Sequence, residues 1–119
     1  MTTDNLTPLV APVLLPVPDL PAFEQAAALT VRQACAAGHV IGDRGQRINP
    51  LHVKRWCQDG RAIVSGGPRY RFPAVKLRGG WTTCPAWCAA WARFERRLRA
   101  AEVRRQMGRW VQQEAAGVG

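Results

Sequence analysis

His52, Lys54, Arg55 and Gln58 fall in one short stretch, interleaved with Val53, Trp56 and Cys57. Cationic forks and amide donors of this kind hydrogen-bond to base edges and phosphate oxygens. The flanking residues mark the stretch as a helix. Asn49 can accept a free N–H of the first turn, Pro50 fits the first helical position, and Gly60 can close the last turn in a left-handed conformation. Inside those limits Val53, Trp56 and Cys57 recur at i, i+3 and i+4, with Ile48 able to pack beneath them, while His52, Lys54, Arg55 and Gln58 take the opposite side. A helix of about three turns divided in this way has the size and chemistry to lie in a DNA major groove. The alternative is a solvated basic face on an ordinary amphipathic helix.

A second cationic group follows. Ala74-Val75-Lys76-Leu77-Arg78, Gly79-Gly80 and Trp81-Thr82-Thr83-Cys84 predict a β-hairpin that turns on its two glycines. Alternation sends Val75, Leu77 and Trp81 to the core and leaves Lys76 and Arg78 on the other face near the tip. With Arg69 and Arg71 just upstream, these side chains would hold a sugar-phosphate backbone. A solvated hairpin is the alternative.

The charge balance agrees with an anionic partner. Against 17 Lys and Arg stand 8 Asp and Glu, a formal +9. Residues 1–29 hold Asp4, Asp19 and Glu24 and no cation, so the basic charge belongs to the remainder. Fifteen of the cations are Arg, whose planar fork suits phosphates and guanine edges, although a GC-rich coding sequence has the same effect on composition.

The elements that position these groups can be read in order. Pro8, Pro12, Pro16, Pro18 and Pro21 among Val and Leu predict an extended arm, packed on its own domain or on a partner. Asp19 is the expected cap of a short helix over 20–28, with Phe23 inward. Thr30 and Gln33 form a capping box for a helix over 30–37, with Leu29 stapled against Ala34 and Gly38 ending it. The connection 38–48 reads as an insertion, or as a loop that sets Arg44 and Arg47 beside phosphates. Pro85 opens a last helix in which Trp87, Trp91, Phe94 and Leu98 form a core seam. The phase then shifts to Val103, Met107, Trp110 and Val111, so the helix is expected to outrun the domain.

Taken together, Leu29-Thr30-Val31-Arg32-Gln33-Ala34, Val53-Lys54-Arg55-Trp56, Gly79-Gly80-Trp81 and Thr83-Cys84 leading to Trp91 make the chain resemble winged helix-turn-helix proteins of the MerR and phage-excisionase type, over about residues 29–94. The resemblance implies a mainly α fold with a small β-hairpin: a Pro-rich arm over 1–20, a winged helix-turn-helix domain over 21–98 and a C-terminal helical extension over 99–119. It implies a sequence-specific double-stranded DNA-binding protein of a phage or mobile element. Such a protein is a recombination directionality factor that contacts an integrase, or a small transcriptional regulator. His52, Arg55 and Leu51 would then read base edges, the last through a thymine methyl, and Lys54 and the wing arginines would anchor phosphates. Only about 25 residues follow residue 94, little room for an effector domain.

Other classes fit less well. Two His and eight scattered carboxylates form no nucleophile elbow, phosphate-binding glycine loop or metal-ligand spacing, so no catalytic residue, cofactor or metal is expected. Cys84 near a helix start is the one thiol to examine for reactivity. Cys35, Cys57 and Cys88 read as small hydrophobes in a reducing cytoplasm, because the first 30 residues lack a secretory n-region. No apolar run is long enough for a membrane span. A protein-interaction adaptor, built on the arm and the Trp- and Arg-rich last helix, is the alternative function. A second copy could also dock on that helix. The lack of an aromatic-studded sheet signature argues against single-strand RNA binding.

Overall fold

Asn49 and Gly60 bound the central helix in the computed structural model, which describes residues 13–118. The arm residues before Val13, among them Pro8, Leu9, Val10 and Pro12, lie outside the described residues. Three α-helices occur in order: α1 (Val31–Ala36), α2 (Pro50–Asp59) and α3 (Pro85–Val118). Each begins on a local signal. Thr30 accepts the Gln33 N–H at 3.1 Å while Gln33 accepts the Thr30 N–H at 2.9 Å. Asn49 accepts the Leu51 N–H at 2.9 Å, with Pro50 in the first turn. Pro85 opens α3, whose 34 residues span about 50 Å at 1.5 Å each.

The strands overturn the expected fold class. Instead of one small hairpin there are two three-stranded sheets. The strands are β1 (Leu14–Pro16), β2 (Leu29–Thr30), β3 (Arg61–Ala62), β4 (Arg69–Arg71), β5 (Val75–Leu77) and β6 (Gly80–Thr83). The first sheet has the order β1-β4-β3, with β1 parallel to β4 and β3 antiparallel to it. The second has the order β2-β6-β5, antiparallel throughout. A mainly α winged helix-turn-helix with a single hairpin does not describe this arrangement. Its extra strands are two or three residues long, too short to show alternation, and β1 is carried by the proline-rich segment. Pro16 has no N–H for a ladder and is tolerated because β1 is an edge strand.

Two local expectations also change. The helix over 20–28 shrinks to a 3-10 turn at Gln25–Ala27 with Glu24 at its cap position. Asp19 sits at φ 59°, outside the extended conformation of a cap. The Pro21 carbonyl, which a helix would give to residue 25, accepts from Trp87 Nε1 at 2.7 Å, and Phe23 meets the Trp87 ring edge-on at 4.9 Å. In the hairpin, Leu77 pairs with Gly80, so the turn residues are Arg78 and Gly79, not Gly79 and Gly80. Lys76 consequently faces Trp81 on the same side, whereas Val75 and Leu77, expected inward, are 40% and 51% exposed. Directly opposed residues share a face, so Trp81 lies with Lys76 and not with Val75 and Leu77.

The core gathers Val31, Ala34, Val53, Cys57, Phe72, Cys88, Trp91 and Phe94, with Val17 from the segment after β1. Trp56 stacks on Trp91 at 6.0 Å, Phe72 lies 5.2 Å from Trp91, and Tyr70 meets Phe94 at 4.7 Å. Phe72 is fully buried although it follows a Gly- and Pro-rich breaker, and its N–H donates to the Trp56 carbonyl at 3.2 Å. Beyond Leu98 the apolar side of α3 leaves the core, and Val103, Met107, Trp110 and Val111 are all more than half exposed. Among the described residues no helix is long and apolar enough to cross a membrane.

Candidate nucleic-acid interface

The division of α2 into two sides is the basis of the site. Val53 and Cys57 are completely buried, which turns Leu51 (61% exposed), His52, Lys54, Arg55 and Gln58 to solvent. Burial pushes the Cys57 thiol up to about 12, against a downward pull from the nearby Arg71 and Lys76 charges. The same cause takes Cys88 up to about 11. The strand β4, which carries Arg71, packs against α2, and the next residue, Phe72, donates its N–H to the Trp56 carbonyl. Arg69, two residues from Arg71 and on the same face of β4, reaches the C-terminal end of the helix, where its Nη1 donates to the Asp59 carbonyl at 3.5 Å. A cation there complements the negative end of the helix dipole.

The hairpin residues are placed differently from one another. Lys76 lies over the Trp81 ring, its Nζ 5.2 Å from the centroid, so its stem is held against an aromatic surface. Arg78 and Gly79 form the exposed turn, and Gly80 begins β6 at φ 111°. Among the described residues no hydrogen bond or ion pair ties Arg78 to α2. The strands β2 and β6 run against α1, and α1 in turn packs on α2, so the first helix is the shared support of both basic elements.

The 38–48 connection is held by its own backbone contacts and by α3. Ile41 bridges Arg47, the Gly42 N–H donates to the Gln46 carbonyl at 2.7 Å, and Asp43 pairs with Arg99 of α3. This folds the loop beside α2, and Arg47 and His52 border one depression of about 350 Å³. Arg47 is thus a neighbour of the exposed helix side.

Some cations are consumed internally. Arg61 donates to the buried Glu95 carboxylate at 2.8 Å and lies 4.3 Å over the Trp56 ring. Arg99 bridges Glu95 and Asp43, and Arg105 pairs with Glu102. By contrast Lys54, Arg55, Arg69, Arg71, Lys76 and Arg78 form no ion pair among the described residues. Cys84, considered for reactivity, is completely buried, and the described residues contain no metal-holding cluster of His, Cys, Asp and Glu.

No family model, curated protein or solved structure matches this chain. The functional reading therefore rests on the chemistry of its own surface.

Proposed function

We propose that the chain is a sequence-specific double-stranded DNA-binding protein that inserts the exposed side of α2 into a major groove. One observation carries the reading: the outward side of α2 holds Lys54 and Arg55 without a carboxylate partner, beside His52 and Gln58, while carboxylates elsewhere neutralise Arg61, Arg99 and Arg105. Arg55, His52 and Gln58 supply base-edge contacts, Leu51 supplies an apolar contact, and Lys54, Arg69, Arg71, Lys76 and Arg78 supply phosphate contacts. The short motifs at residues 29–34 and 53–56 favour a recombination directionality factor or a small regulator of a phage or mobile element, working with an integrase or as a second copy on the same site. Fluorescence anisotropy of the full chain with a duplex library, repeated across salt, tests this. Binding should select a sequence, and log K should fall linearly with log salt. A folded chain that binds no duplex at low salt overturns the reading.

A protein-interaction adaptor is favoured by one other observation, the exposed Val103, Met107, Trp110 and Val111 on α3. Sedimentation of the full chain, alone and with an integrase, tests it.

A further inference from the structure

Arg93, Arg96 and Arg97 stand together on the outer side of α3, all exposed. With Pro18, Asp19 and Ala100 they line a groove of about 490 Å³ between the helix and the turn that follows β1. Arg104 continues the same side. At 3.6 residues per turn, Arg93, Arg97, Ala100 and Arg104 lie on average about a third of a turn round from Trp91 and Phe94, which are buried in the core, and all four are exposed. Their direction is thereby set outward.

Three arginines against one aspartate make the groove cationic. None of Arg93, Arg96, Arg97 and Arg104 forms an ion pair among the described residues. Asp19 is the one carboxylate that lines it beside the three guanidiniums, and it pairs with none of them. The opposite wall is anchored, since Val17 is buried just before the Pro18-Asp19 turn. Asp19 holds a positive φ of 59°, a turn conformation that Asp adopts more readily than most side chains.

Trp56 of α2 stacks on Trp91 of α3, and each helix turns its buried side to that pair. The cations of α2 and those of α3 therefore stand on different outer surfaces of one core. We infer that the α3 groove holds the sugar-phosphate backbone of a second duplex segment, so that one protein molecule bridges two segments. This rests on the reading of α2 as the first duplex site. The four arginines span about 16 Å along the helix, and a duplex presents one phosphate charge per roughly 1.7 Å of its axis. Guanidinium forks match phosphate oxygens two at a time and read no sequence, so the second segment is bound without base preference.

The test is energy transfer between a donor-labelled and an acceptor-labelled duplex mixed with the full chain at low salt. Wild type should bring the two together. The variant R93Q/R96Q/R97Q should keep its folded circular dichroism and its sequence preference on one duplex, and lose at least tenfold in affinity for the second. Glutamine keeps helix propensity at these exposed positions, so the variant isolates the charge. Transfer equal to wild type in the triple variant, as a dimer would give through another surface, overturns the inference. So does a wild type that binds one duplex, never a second, and instead loads the α3 arginines onto phosphatidylglycerol vesicles. Arg55→Ala separates the two readings: it should relax sequence preference while the triple variant's loss persists independently. Absence of any duplex binding by wild type removes both.

Discussion

Arg61 lies over the indole of Trp56, 4.3 Å from the ring centroid, and holds Glu95 of α3 at 2.8 Å, joining the end of α2 to the last helix. Burial lifts the Glu95 carboxyl above its ordinary range, and Arg61 and Arg99 only partly reverse this. The folded chain then binds that proton more tightly than the unfolded chain. The contribution is full below the ordinary carboxylate range and is lost as pH rises through the raised folded value. Glu95→Gln cannot ionise. Its melting temperature should therefore improve relative to wild type as pH is raised from the acid side to neutrality. A wild type that gains on the variant over that range would mean that the two arginines outweigh burial.

Gly60 ends α2 at φ 74° and ψ 174°, a region populated almost only by glycine. A Cβ there would also meet the Leu14 side chain at 2.8 Å and the Tyr70 carbonyl at 3.2 Å. Gly60→Ala should cost about 1–3 kcal/mol or more in urea unfolding. Because Leu14 belongs to β1, the variant should also loosen the parallel β1 edge, read as faster amide exchange along residues 69–71.

Two tryptophans of α3 should behave oppositely. Trp91 is buried against Trp56 and Phe72, and Trp91→Ala should lose about 3–5 kcal/mol. Trp110 is 56% exposed on the part of α3 that leaves the core, and Trp110→Ala should stay within about 0.5 kcal/mol of wild type. Thermal melts of the pair measure the difference. A large loss at Trp110 would show that the distal helix is covered in solution.

Arg55 and Arg78 should separate base reading from backbone anchoring. Arg55→Ala should cost roughly 1–3 kcal/mol on the preferred duplex and relax the preference there. Arg78→Ala should weaken all duplexes alike and reduce the log–log salt slope by about one unit. Anisotropy titrations on preferred and random duplexes distinguish the two. An equal loss for Arg55→Ala on both would count against α2 as the reading element.

The features legible in the sequence are those that act over three or four residues. Asn49 with Pro50, Thr30 with Gln33 and Gly60 state where helices start and stop, because each satisfies or releases backbone groups of its own turn. The i, i+3, i+4 spacing of Val53, Trp56 and Cys57 likewise set which side of α2 faces water, and so set the candidate reading residues.

The sheets were decided elsewhere. Leu14 pairs with Arg69 and Leu29 with Thr83, partners far apart in the chain whose ladders depend on where the helices bring the backbone. Lys76 stands directly opposite Trp81, so these two share a face of the hairpin and Val75 and Leu77 take the other, a pairing that alternation along one strand does not state. Charge followed the same rule. Arg61 and Arg99 look no different in sequence from Arg93 and Arg97, yet the first two meet Glu95 and Asp43 and the second two meet water. Helix caps are local hydrogen bonds that the chain carries with it; strand partners and the carboxylates available to each arginine exist only after distant segments have packed together.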